Sequence, residues 1–272
     1  MEPWLTDLRA AFDNVFDLDW STHIAGLNAT HHLTGGNTLA TGSHPPEFFW
    51  GDLEHFTPRE WVAVISLNPQ MPSEKDEAWY VRQKWSAESY WQYLNRRDFR
   101  NEPEEDYYYS TFARPLVKLT GGALGIPNPT DDPVPILMRR MALFEILPYP
   151  SKTYVPRPET AVSLVTSDPG CALSSKIARG VIEHARPRIV LVNGNDALAV
   201  FDAVWRPRWT EQRYASASRA TKTLRHWEGA IDAGGREVPV VGFPQLRTRG
   251  GHNSNAEVEQ LAARIAELAN PT

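Results

Sequence analysis

The feature that most restricts the fold is the stretch at residues 61–70, WVAVISLNPQ, where an unbroken apolar run gives way at once to Leu67-Asn68-Pro69. Val62, Ala63, Val64 and Ile65 combine β-branched bias with continuous apolarity. That is the pattern of a strand buried on both faces, as in a parallel sheet covered by helices. Pro69 has no N–H to give a ladder and holds Asn68 to extended backbone, so the strand should stop within a residue or two of Asn68. An Asn-Pro step also opens ordinary turns, so by itself it does not separate a plain strand end from an amide presented for chemistry.

A chain of 272 residues with 42% hydrophobic residues can bury a full α/β core. Residues 1–45 are expected to form a helix and an irregular lead-in packed on a single larger domain over 46–272. The one cysteine, Cys171, excludes an intramolecular disulfide and leaves no cluster for zinc or iron–sulfur. His31 and His32 have no carboxylate or cysteine at ligand spacing, so neither a metal nor a cofactor is expected. No GxGxxG follows the first strand and no GxxxxGK[ST] occurs, which removes dinucleotide and P-loop readings. The opening MEPWLTDLRAAFDNVF has acidic residues interrupting each apolar run and reads as an amphipathic helix, not a signal peptide or a membrane span. A cytoplasmic monomer without membrane contact is the expectation.

The net charge of -5 is unevenly spread. Residues 176–250 hold 13 Lys/Arg against 7 Asp/Glu, and Arg206, Arg208, Arg213, Arg219, Lys222 and Arg225 lie close to Trp205, Trp209, Tyr214 and Trp227. Basic residues among aromatics suit a nucleic-acid backbone, although arginine also stacks on aromatics for structural reasons.

Helices are expected over 76–95, 108–119 (ended by Gly121-Gly122), 171–185, 195–205 (capped by Asn195 or Asp196) and 255–270. Three further strands are expected over 141–147, 189–192 and 238–242. Strands alternating with helices imply a parallel sheet with right-handed crossovers, whose ligands bind beyond the carboxyl ends of the strands. The four exits place Asn68, Glu145, Tyr149, Asn193, Arg247 and His252 around one crevice.

These exits resemble those of the uracil-DNA glycosylase superfamily over residues 45–268. Leu67-Asn68-Pro69 is similar to the G-x-N-P-G signature of its mismatch-specific and thymine-DNA branch, whose Asn positions the attacking water. Phe144-Glu145-Ile146-Leu147-Pro148-Tyr149-Pro150 corresponds to the second strand and its exit, where many relatives place a base-reading Asn. Phe243-Pro244-Gln245-Leu246-Arg247 lies where the family has an H-P-S-x-L-S or N-P-S-G-L-S loop that enters the duplex. The resemblance implies a three-layer αβα sandwich around a central four-stranded parallel sheet. Ser66 and Gln70 replace the two glycines of the first signature, and Phe243 replaces the His or Asn of the second.

The function so implied is hydrolysis of the N-glycosidic bond of a flipped base in double-stranded DNA, without a cofactor. Asn68 would hold the water, and His252 would donate to the departing base or else serve structure. Glu145, Tyr149, Tyr80 and Asn193 would contact the base; Gln245, Leu246, Arg247, Arg249, Arg208 and Arg213 would hold DNA, with Leu246 and Arg247 as the wedge. An ionised Glu145 only accepts hydrogen bonds, which suits the amino group of a cytosine-type base better than uracil, unless it instead pairs with Arg139 or Arg140. A cytosine modified at carbon 5 is the expected target, as in the bacterial anti-phage glycosylases that remove glucosylated hydroxymethylcytosine. Repair of uracil or mismatched bases, non-catalytic reading of modified DNA, and hydrolysis of free nucleosides are the alternatives.

Overall fold

The computed structural model describes residues 2–40, 45–67, 82–95, 113–151, 153, 155–246 and 251–271. In chain order the helices are α1 (Pro3–Phe16), α2 (Trp20–Thr30), α3 (Ala87–Asn95), α4 (Arg114–Leu124), α5 (Val134–Arg139), α6 (Pro158–Ser167), α7 (Pro169–Ala185), α8 (Asn195–Trp205) and α9 (Asn255–Ala269). The strands are β1 (Phe49–Trp50), β2 (Val62–Ser66), β3 (Met141–Glu145), β4 (Val190–Asn193), β5 (Thr210–Ala215), β6 (Thr223–Asp232) and β7 (Glu237–Phe243).

All seven strands form one mixed sheet in the order β1-β3-β2-β4-β7-β6-β5. The consecutive strands β3, β2, β4 and β7 run parallel, whereas β1, β6 and β5 join antiparallel to their neighbours. The sheet is therefore larger than the four strands expected. β5 and β6 escaped the sequence reading because β6 buries only some alternate residues and β5 only half-buries its own. Their exposed alternate residues, among them Arg213 and Arg225, read as a basic cluster instead of a hairpin.

Every residue of β2 is buried, and the alternation of strand side chains explains its unbroken apolarity. Val62 and Val64 pack with Leu143, Leu191 and Val241 against Leu116 of α4 and Leu261 of α9. Ala63 and Ile65 pack on the other face with Phe144 and Val192, beneath Phe12 of α1, Trp91 of α3, Ile177 of α7 and Phe201 of α8. Helices thus cover both faces of the parallel strands, making three layers. None of the described helices is long and apolar enough to cross a membrane.

Several boundaries differ from expectation for local reasons. Part of the expected lead-in is helix α2, started by the Asp19 carboxylate accepting from Thr22 N–H at 3.0 Å and anchored by buried Trp20 and Ile24. The expected helix over 76–95 is broken at residues 83–86, where Lys84 has a φ of 49°, and resumes as α3 with Ser86 and Ser89 capping each other. Residues 76–81 lie outside the described residues. Helix α4 runs through Gly121-Gly122 and stops at Gly125, in the left-handed region at φ 68°. A Cβ on Gly121 would lie 2.4 Å from Pro129, and one on Gly122 would lie 2.8 Å from the Ala262 carbonyl of α9. The glycine pair thus permits close packing rather than ending the helix. Helix α8 has Gly194 at its N-cap with no side-chain cap, so neither Asn195 nor Asp196 has the expected capping role.

Candidate functional site at the carboxyl ends of the strands

The carboxyl ends of the four parallel strands line up. Ser66 of β2 stands opposite Glu145 of β3, and Asn193 of β4 stands opposite Phe243 of β7. Ile65 pairs with Val192, so the next step of the same register puts Ser66 beside Asn193. Strand alternation sends Ser66, Glu145 and Asn193 to the side of Val64, Leu143 and Leu191, the face covered by α4 and α9. The result is a row Glu145, Ser66, Asn193, closed by the fully buried Phe243. With strands about 4.8 Å apart, its three polar members span about 10 Å.

Glu145 is buried at 5% exposure in this row. Arg140 is engaged elsewhere, with Nη1 2.6 Å from the Glu60 carboxylate. Five residues of strand also separate Arg140 from Glu145 by about 16 Å, which removes the expected alternative of an Arg140 pair. The backbone of Glu145 is pinned as well: its N–H donates to the Phe48 carbonyl at 3.2 Å, and its carbonyl accepts from the Ser174 hydroxyl. Ser66, missed in the sequence reading, is buried together with Asn193. Among the described residues, neither Ser66 Oγ nor Asn193 Oδ1 has a hydrogen-bond partner. The signal for Ser66 was its place as the last residue of the apolar run.

Asn68, Tyr80, Arg247 and Arg249 lie outside the described residues. Leu67, just before Asn68, is buried at 9% exposure, so the core holds the chain up to the step before the amide. The β4 and β7 exits adjoin: Gly194 N–H donates to the Phe243 carbonyl at 2.9 Å, and Gln245, which is exposed, lies beside Gly194.

Three expected site residues have other surroundings. Tyr149 belongs to the core cluster on the opposite face of the sheet, with 1% exposure, and its hydroxyl donates to Asp168 Oδ1 at 2.6 Å. Burial first, then Cys171 and Asp168, push its pKa up. A base contact is replaced by a structural one, because Asp168 caps α7 and also meets His23 Nε2 at 2.6 Å. Leu246 is buried at 8% and packs in the α4/α9 core, so inserting it between bases would require it to leave that core. His252 is fully buried, with Nε2 2.6 Å from the Tyr214 hydroxyl of β5. It ties the hairpin to the segment leading into α9, which is the structural alternative with a tyrosine as partner.

Burial, and after it His226, hold the His252 pKa at about 4, with Glu257 pulling weakly the other way. Burial also lowers His226, against the pull of Glu228. The unfolded chain takes up the His252 proton near 6.5 and the folded protein only near 4, so stability falls as pH drops through that window. His252→Gln keeps a hydrogen-bonding side chain but does not titrate there. Between pH 7 and 5 it should lose on the order of 1–2 kcal/mol less than the parent in urea titrations. An unchanged pH slope would remove His252 as its source.

Beside this histidine, Glu257 is completely buried and accepts from Ser216, from Ser218 at 3.0 Å, from Lys222 Nζ at 3.1 Å and from Asn253 N–H at 2.8 Å. Burial alone would raise its pKa, but these donors hold it down at about 2. Both ends of the loop after β7 are thus anchored, with Gly251 packed against the Gln245 carbonyl and accepting from Lys222 at 2.8 Å.

On the opposite face of the hairpin, Arg213 stands directly across from Arg225. Arg225 lies over the Trp227 ring at 5.1 Å, and Arg213 pairs with Glu211 at 2.8 Å. Arg208 and Arg213 are exposed. Among the described residues no group of three or more His, Cys, Asp or Glu side chains is placed to hold a metal ion.

No family model, curated protein or solved structure matches this chain. The chemistry open to the site therefore follows from its own residues. Three buried polar side chains of different hydrogen-bonding character can recognise a flat polar ligand.

Proposed function

We propose that the protein is a monofunctional DNA glycosylase that hydrolyses the N-glycosidic bond of a flipped, modified base. The best substrate is a cytosine carrying a bulky group at carbon 5, such as glucosylated 5-hydroxymethylcytosine in phage DNA, and the product is an abasic site. The observation that carries the reading is the row Glu145, Ser66, Asn193 at the ends of adjacent parallel strands, with Ser66 two residues before Asn68 in the chain. A block of four parallel strands covered by helices on both faces also agrees with the uracil-DNA glycosylase-like sandwich that the sequence resembles.

In this mechanism Glu145 accepts from the exocyclic amino group and Asn68 holds water through its amide oxygen. An amide takes no proton at neutral pH, so the rate comes from positioning and from stabilising charge as the base departs. Flipping costs a few kcal/mol, offset by contacts to the backbone and by a loop entering the duplex. The loop after Gln245 supplies the latter, with Arg247 and Arg249. Arg208, Arg213 and Arg225 supply phosphate contacts. Like charges opposed across a hairpin are unfavourable, and a bridging phosphate relieves the Arg213 and Arg225 pair.

The direct test incubates the protein with oligonucleotides carrying uracil, a thymine mismatch, 5-hydroxymethylcytosine or its glucosylated form, and scores alkali-labile abasic sites. Cleavage of none of them would reject the hydrolytic reading. For the DNA surface, the double variant Arg213→Ala/Arg225→Ala should lower the slope of log affinity against log salt by about 0.9, the change for the one bridging phosphate no longer neutralised. An unchanged slope would place DNA elsewhere.

A further inference from the structure

We infer that Ser66 and Asn193 together form a two-point reader for the hydrogen-bonding edge of a planar heterocycle, with Ser66 as a specificity-determining residue. The inference deepens the proposed function and rests on a base entering this site. Ser66 is 7% exposed and Asn193 9% exposed, and Ser66 Oγ and Asn193 Oδ1 both lack partners among the described residues. Buried polar atoms are nearly always hydrogen-bonded, so two such atoms on neighbouring strand ends and one face mark bonds made to something other than the folded chain itself. Asn193 Oδ1 accepts and needs an N–H or O–H from the ligand. The Ser66 hydroxyl can donate to an adjacent carbonyl or ring nitrogen. A ring edge with a donor next to an acceptor, as in the amidine of a cytosine-type base, satisfies both atoms, and the second N–H of its amino group is left for Glu145.

A hydroxyl kept without a partner destabilises the empty protein, whereas a structural hydroxyl would stabilise it. Removing it should therefore raise the thermal midpoint while weakening recognition, a combination that a purely structural serine does not produce. The test measures fluorescence anisotropy on duplexes containing an uncleavable 2′-fluoroarabino nucleotide of uracil or of 5-hydroxymethylcytosine, against a tetrahydrofuran abasic analogue. The parent should prefer at least one base-bearing duplex. Ser66→Ala should cut that preference about fivefold and Asn193→Leu about tenfold or more, each leaving affinity for the abasic duplex unchanged. The midpoint of Ser66→Ala should rise by about 2 °C. Preference that survives both substitutions, or a parent that binds base-bearing and abasic duplexes alike, overturns the inference. A parent that discriminates them yet forms no abasic sites would refute hydrolysis and support the reader. Excision that persists with unaltered base preference in both variants would overturn the reader alone.

Discussion

Asn68→Ala should leave a folded protein whose excision rate has fallen about 100- to 1,000-fold, the usual consequence of removing one positioned polar group from a site that works by electrostatic stabilisation. The fold should survive because the buried strand β2 ends at Ser66, before Asn68. Single-turnover assays with enzyme in excess separate the chemical step from product release. Circular dichroism and the urea midpoint check that the variant is folded. Asn68→Asp supplies a carboxylate that can take a proton and should keep more activity than Asn68→Ala. Full activity in Asn68→Ala would dismiss the water-holding role.

Glu257→Ala should cost about 3–5 kcal/mol of stability, because it leaves Lys222 and the surrounding donors facing a cavity where a fully buried carboxylate had been. Three elements lose their common anchor. The turn between β5 and β6 loses the acceptor for Ser216, Ser218 and Lys222, α9 loses its capping box with Ser254, and the segment at Asn253 loses its N–H acceptor. The pH dependence has a definite sign. The carboxylate titrates near 4.5 in the unfolded chain and near 2 in the folded one, so its contribution is complete above about 4.5 and is lost as pH falls towards 2. Glu257→Ala should therefore unfold at much lower urea than the parent at pH 7, with the difference narrowing below pH 4. A loss smaller than about 1 kcal/mol at pH 7 would mean that water replaces the carboxylate without penalty.

Much of the central fold was legible because its elements carry local signals. Val62 to Ile65 announced a strand buried on both faces, and the amphipathic pattern over 255–270 announced α9. Where local signals served two purposes the reading failed. Gly121-Gly122 reads as a helix end, yet the pair is needed for the approach of Pro129 and α9. Arg213 and Arg225 read as part of a basic cluster among aromatics, whereas the strands they belong to show in the alternate, inward residues Tyr214, Leu224 and His226.

The same division holds for the site. The order of strand exits, and the residue types at Asn68, Glu145 and Asn193, follow from the sequence by itself, because a parallel sheet delivers the ends of its strands to one edge whatever packs around it. Only the tertiary structure decided that Ser66 stands between Glu145 and Asn193, since lateral neighbours depend on strand order and register across residues far apart in the chain. Tertiary packing likewise sent Tyr149 to the opposite face, Leu246 into the core and His252 to Tyr214, because each lies past a strand end where no periodicity fixes direction and the burial of neighbouring elements does.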